Sequence, residues 1–221
     1  MDELILAVEL LGTVAFASAG AVTGLKKQAD LLGVILLGVI TSTGGGILRD
    51  IILGTTPPSA FVDPVYVITA AAVSLGIFLL EALVDKDSRV VESWGYHKMI
   101  FLMDTLGLAV FTVMGVHSAY QLFGRGHGFW VLFAGVVTGV GGGVLRDILV
   151  NDIPYIFTKH VYATASFCGA LTAYLCMLGG RADTGIWLGA ATVVLVRFLA
   201  DRYHWNLPRI RNYGQKHGGE S

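Results

Sequence analysis

Gly38-Val-Ile-Thr-Ser-Thr-Gly-Gly-Gly-Ile-Leu-Arg-Asp-Ile51 recurs 97 residues later as Gly135-Val-Val-Thr-Gly-Val-Gly-Gly-Gly-Val-Leu-Arg-Asp-Ile148. Pro57 and Pro154 keep the same register. Upstream, at an offset of 95, Glu9, Gly12, Phe16 and Gly20 match Asp104, Gly107, Phe111 and Gly115. Chance likeness between apolar stretches does not reproduce a shared GGGxLRDI string. The chain therefore reads as a duplication, with one unit over about residues 4–84 and the other over 99–178.

Both copies sit in long apolar runs. Hydrophobic residues make up 54% of the 221 and charged residues only 14%, with a mean hydropathy of +0.69. A soluble domain carries about a quarter charged residues, so this chain cannot cover a water-facing surface. A membrane span needs about 20 mostly apolar residues. Seven stretches qualify: Leu4–Leu25, Leu31–Leu53, Val65–Val84, Met99–Leu122, Phe129–Val150, His160–Leu178 and Thr184–Leu199. The expected fold is an all-α integral membrane protein forming a single domain over residues 1–221, with a seventh helix at 184–199 and a tail at 200–221. Met1-Asp2-Glu3 is acidic where a cleavable signal is basic, so the first span reads as a retained one.

Three spans per unit is an odd number, so the second unit enters the bilayer upside down relative to the first. Such inverted repeats build transporters and some channels, with the functional path at their interface. Orientation follows from the basic residues. Lys26, Lys27, Lys86, Arg89, Lys98, Lys159, Arg202, Arg209, Arg211 and Lys216 fall on one side, and only Arg125 and Arg181 on the other. This bias predicts an inner-membrane protein with its C-terminus in the cytoplasm and its N-terminus outside.

The triplets Gly44, Gly45, Gly46 and Gly141, Gly142, Gly143 lie inside the second and fifth spans. Each glycine costs a helix about 1 kcal/mol relative to alanine, so three in a row invite a kink or break. A break at membrane depth is tolerated only against protein or a water-filled cavity. The carbonyls before each break, with the hydroxyls of Thr41, Ser42, Thr43 and Thr138, would offer hard oxygen ligands to a monovalent cation. Close helix packing is the alternative use of such glycines, as it is for Gly20, Gly24, Gly135 and Gly139.

Arg49 and Arg146 follow the triplets, and each costs at least about 2.5–3.5 kcal/mol near a bilayer centre; each also lies near the end of its span, where snorkelling to the interface is the alternative. Neighbouring positions on a helix point about 100° apart, so Asp50 and Asp147 are not expected to face their own arginines. Glu9 and Asp104, equivalent in the two units, are the expected partners. Glu81, Asp201 and Arg197 lie nearer span ends and read as anchors.

Other classes are excluded or unsupported. The net charge of −1 gives no attraction for a nucleic acid. No GxxxxGK[ST], HExxH, GxSxG or full GxGxxG string occurs, so no enzyme signature or phosphate cradle is found. Cys168 and Cys176 would stand about 12 Å apart along one helix, too far for a disulfide. His97, His127, His204 and His217 fall in loops or the tail, with no metal-ligand spacing. Trp94, Trp130, Trp187 and Trp205 sit near expected interfaces, as an aromatic belt does.

Paired GGGxLRD strings in the second and fifth of seven spans resemble the prokaryotic branch of the trimeric intracellular cation (TRIC) channel family. The same kind of sequence is also grouped as UPF0126-type membrane proteins, under a bacterial glycine transporter label. The resemblance implies a homotrimer in the lipid bilayer with one pore per subunit, permeable to potassium and less selectively to sodium. It also implies that the two triplet helices bend around the pore with Arg49 and Arg146 beside them. No cofactor is implied beyond the permeant ions and a bound lipid. The basic set that animal members carry for a phosphoinositide has no match here, so that regulation is not implied. Two functions remain open on the residues alone: a potassium-permeable channel, or a secondary transporter for a small amino acid such as glycine. In the second, Glu9 or Asp104 would carry the proton.

Overall fold

The computed structural model describes residues 2–83, 95–158 and 161–205, which form helices and their connections. In chain order these are α1 (Asp2–Lys26), α2 (Leu31–Leu53), a short α3 (Ser59–Val62), α4 (Val65–Leu83), α5 (Gly95–Phe123), α6 (Gly128–Leu149), a short α7 (Tyr155–Thr158), α8 (Tyr162–Leu178) and α9 (Ala182–Arg202). Six of them, α1, α2, α4, α5, α6 and α9, are long and apolar enough to cross a membrane. The stretch expected from His160 to Leu178 forms the 17-residue α8. At about 26 Å it is at the short end of the spanning range. Val84, Lys86, Arg89, Trp94, Lys159, His160, Arg209, Arg211, Lys216 and His217 lie outside the described residues.

The helix ends follow from local chemistry. Asp30 caps α2 by accepting from the Gly33 amide at 2.8 Å, a contact that contributes about 1 kcal/mol. Gly54 ends α2 at φ +74°, and Asn151 takes the same left-handed turn, at φ +56°, just after α6. The next amide in each turn, Thr55 or Asp152, donates at 2.8 Å to the carbonyl of Asp50 or Asp147. Both turns thereby satisfy carbonyls that a helix C-terminus leaves open.

Polarity is distributed as a bilayer requires. Large apolar chains such as Ile68, Leu80, Leu83, Phe129 and Ile153 face outward. Thr13, Thr41, Thr105, Thr112, Thr138, Ser74 and Ser166 are buried among the helices. Most of these hydroxyls donate to a carbonyl one turn back on their own helix, as Thr41 does to Leu37 at 2.6 Å and Thr138 to Ala134 at 2.6 Å. Such bonds satisfy the donor without breaking the backbone ladder. Cys168 and Cys176 are free and half-buried. Trp130, Trp187 and Trp205 are exposed near helix ends.

Glycine contacts repeat from one half of the chain to the other. Gly12 lies against Val110 and Phe111, and Gly107 lies against Phe16. Gly20 meets the carbonyl of Leu37, and Gly115 meets that of Ala134. Phe16 and Phe111, equivalent in the two units, stack on each other at 5.3 Å. α9 packs on α5 and α8.

Both triplets run inside continuous helix: α2 is unbroken through Gly44–Gly46 and α6 through Gly141–Gly143. The break expected from glycine propensity does not occur. Propensity is a weak term beside tertiary contact, and here the glycines make a contact that no other residue could.

Candidate functional site

That contact is the crossing of α2 and α6. A Cβ on Gly45 would strike the carbonyl oxygen of Thr138, and a Cβ on Gly142 would strike that of Thr41. Gly141 stands against Gly45 itself, its Cβ position 3.1 Å from the Gly45 Cα. The helices thus meet backbone to backbone, as small residues permit in membranes. Because 41 opposes 142 and 45 opposes 138, the two strings run past each other in opposite senses.

The third glycine of each triplet has a different neighbour. A Cβ on Gly46 would come 3.9 Å from the Arg49 Nη2, while one on Gly143 would come 3.0 Å from the Tyr162 hydroxyl and 3.7 Å from Asp104 Oδ1. The first two glycines set the crossing, and the third leaves room beside a charged group.

Thr41, Ser42, Thr43 and Thr138 are all buried close to this crossing. Ser42 and Thr43 both donate to the carbonyl of Val39, at 3.0 and 2.8 Å. With the helices unbroken, the neighbouring carbonyls stay in the helix ladder and are not the freed ends that the sequence suggested. The hydroxyl oxygens keep acceptor lone pairs.

Each arginine turns onto the aspartate that follows it. Arg49 Nε and Nη2 both donate to Asp50 Oδ1 at 2.8 Å. Arg146 Nε and Nη2 reach Asp147 Oδ1 at 2.9 Å. This corrects the expectation that adjacent positions cannot pair. The 100° separation holds for the Cβ directions, but the long arginine side chain reaches around its own helix. The second carboxylate oxygen then holds the following loop. Asp50 Oδ2 accepts from the amide and hydroxyl of Ser59, both at 2.8 Å, and Asp147 Oδ2 accepts from the Tyr155 amide at 2.9 Å. Each LRD string therefore ties a helix end to the short helix after it.

The two first-helix acids behave differently. Asp104 accepts from Arg146 Nη1 at 2.9 Å, as expected. Glu9 accepts instead from the Tyr66 hydroxyl. Arg49 turns its remaining nitrogen to Ser118 at 3.3 Å, and no Glu9–Arg49 ion pair is found among the described residues. Neither arginine snorkels, since Arg49 is 7% exposed and Arg146 1%.

Arg197 corrects a further expectation. It is no span-end anchor: it is buried, with Nη2 3.6 Å from Asp104 Oδ2. Its guanidinium lies over the rings of Phe101 and Tyr162, at 4.8 and 4.9 Å. Tyr66, Tyr162, Ser118 and Ser59 were not legible as site residues. One signal was present, since Tyr66 and Tyr162 are themselves 96 residues apart. At the rim, Lys27 Nζ meets Asp152 at 2.6 Å, an exposed pair whose contribution is at most about 1 kcal/mol.

Apolar chains outside, hydroxyls and paired charges inside, and helices crossing at glycine define a multi-pass membrane protein. Comparison with known proteins narrows the class. The family model described as "Glycine transporter" matches the chain twice, over residues 6–82 and 101–177. The UPF0126 inner membrane protein YadS of Escherichia coli is 33% identical over 204 residues, covering 91% of this chain and 93% of that protein. A crystal structure of a prokaryotic TRIC channel in 0.5 M KCl superposes with a TM-score of 0.82 at 31% identity, covering 94% of this chain and all of that one. The TRIC trimeric intracellular cation channel orthologue from Rhodobacter sphaeroides gives 0.80 at 28% identity, covering 91% and 99%. The chain belongs to the UPF0126 family, the prokaryotic branch of the TRIC channels.

Proposed function

We propose that the protein is a passive cation channel of the inner membrane, working as a homotrimer with a separate path through each subunit. The observation that carries this reading is the α2–α6 crossing, where buried hydroxyls gather around an interface floored by glycine. Thr41, Ser42, Thr43 and Thr138 line the path and offer oxygen acceptors to potassium and, less selectively, sodium. The aspartates and Glu9 give the neighbouring region a charge balance that does not repel cations. The likeness to solved TRIC channels, one of them described as trimeric, supports both the activity and the assembly.

The seven helices α1, α2, α4, α5, α6, α8 and α9 all span in this reading, and the two units are inverted copies about an axis near Phe16 and Phe111. The opposed strings at the crossing and the stacking of these equivalent rings support it. The Lys27–Asp152 pair joins the α1–α2 connection to the end of α6, which alternating spans put on one side. By the bias of basic residues that side is cytoplasmic, with the N-terminus outside.

Recording from purified protein in a planar bilayer tests the proposal. Unitary currents in potassium chloride, with a reversal potential that moves toward the cation value in a salt gradient, are expected. Silent bilayers together with saturable glycine uptake into liposomes would overturn it.

A further inference from the structure

The two units carry an acid, an arginine and a tyrosine at matching positions but join them differently. In the first unit Glu9 is held by Tyr66, and Arg49 goes elsewhere. In the second, Asp104 accepts from Arg146 of α6 at 2.9 Å, while Arg197 of α9 donates to Thr105 at 3.4 Å and sets its charge 3.6 Å from the other Asp104 oxygen. Tyr162, the counterpart of Tyr66, is buried with its hydroxyl unbonded, as is the Asp104 Oδ2 oxygen. Asp104 is wholly buried, whereas Glu9 is partly exposed.

The difference traces to α9. Among the described residues this helix packs mainly beside the second unit's α5 and α8. Its buried face runs Gly185, Ile186, Gly189, Val193, Arg197 and Ala200, so a single cation is carried inward on an otherwise small and apolar stripe. A buried hydroxyl without a partner costs free energy, so the present arrangement withholds from Tyr162 the bond that Tyr66 makes. Gly143 leaves both groups clear of a side chain. Gly143 has no Cβ where one would stand 3.0 Å from the Tyr162 hydroxyl and 3.7 Å from Asp104 Oδ1.

We propose that Arg197 is the latch of a gate at this end of the ion path. Holding Asp104 together with Arg146 keeps the second unit shut. Passing Asp104 to Tyr162, the arrangement that Glu9 and Tyr66 already show, opens it. The inference rests on the channel reading above, and it gives α9 a task that neither repeated unit performs.

Single-channel recording of the full chain tests it with two substitutions of opposite sign. Arg197→Gln removes the latch and is expected to raise open probability about fivefold or more, the low end of coupling between linked sites. Tyr162→Phe removes the partner of the open arrangement and is expected to lower open probability by a similar factor. That hydroxyl has no bond to lose in the closed form, so Tyr162→Phe should keep its melting temperature. If Arg197→Gln does not fold, Tyr162→Phe decides alone: an unchanged or raised open probability overturns the latch. Wild-type currents that neither substitution alters, or that both move the same way, overturn the latch and leave the channel standing. A silent wild type overturns both.

Discussion

Gly142 lies directly against the backbone carbonyl oxygen of Thr41, with no room for a Cβ between them. Gly45 lies in the same way against Thr138. A flexible side chain could yield to an added methyl group, but a carbonyl inside an unbroken helix cannot.

Gly142→Ala should therefore destabilise the protein by about 3 kcal/mol or more, the upper range for overpacking. The control is Gly76→Ala in α4, where nothing lies within 4 Å of the new Cβ. It should be neutral or stabilising by up to about 1 kcal/mol through helix propensity. Thermal unfolding of detergent-purified protein separates the two. Equal melting temperatures would mean that the crossing is looser than the structure has it.

The same comparison applies to the two equivalent acids. Asp104→Asn takes the acid from beside buried Arg197 and leaves Arg146 with Asp147 alone, and should cost about 3–5 kcal/mol. Glu9→Gln disturbs a half-exposed acid with one tyrosine bond and should cost about 1–2 kcal/mol. The check is the melting temperature of each variant against wild type, and the opposite order would contradict the ion-pair assignment.

The loop after each LRD string gives a third comparison. Ser59→Ala removes one of four donors around Asp50 and should cost about 1 kcal/mol. Asp50→Ala leaves Arg49 unpaired and frees residues 54–62 from the end of α2, costing about 3 kcal/mol or more. Limited proteolysis should cut this loop in Asp50→Ala and spare it in Ser59→Ala.

Much of the fold was legible in the sequence. Hydropathy is local, and a bilayer imposes one length on every span, so the helices from Leu31 and Val65 start where composition put them, and the shorter apolar helix from Tyr162 starts two residues later than expected. The repeat was equally plain, because LRD beside a glycine triplet is too specific to arise twice by chance. The pairing of Asp104 with Arg146 followed from these two facts alone: a buried arginine needs an acid, and the repeat singled out one.

The rest depended on contacts between distant segments. Three glycines in a row bend a helix or let a neighbour approach it, and nothing in α2 alone distinguishes these uses; the carbonyls of α6 did. Helical spacing set the direction of Asp50, but the reach of the Arg49 side chain overrode it. Arg197 shows the division most clearly. By position it is one basic residue near the end of a span, with the same local signature as an interfacial anchor. The packing of α9 against α5 and α8 turned it inward to Asp104. Which segments are apolar and which residues recur are properties of the chain read in order, and both are legible there. Which charge meets which, and where glycine is indispensable, depend instead on what a neighbouring helix brings to the same place in the folded molecule.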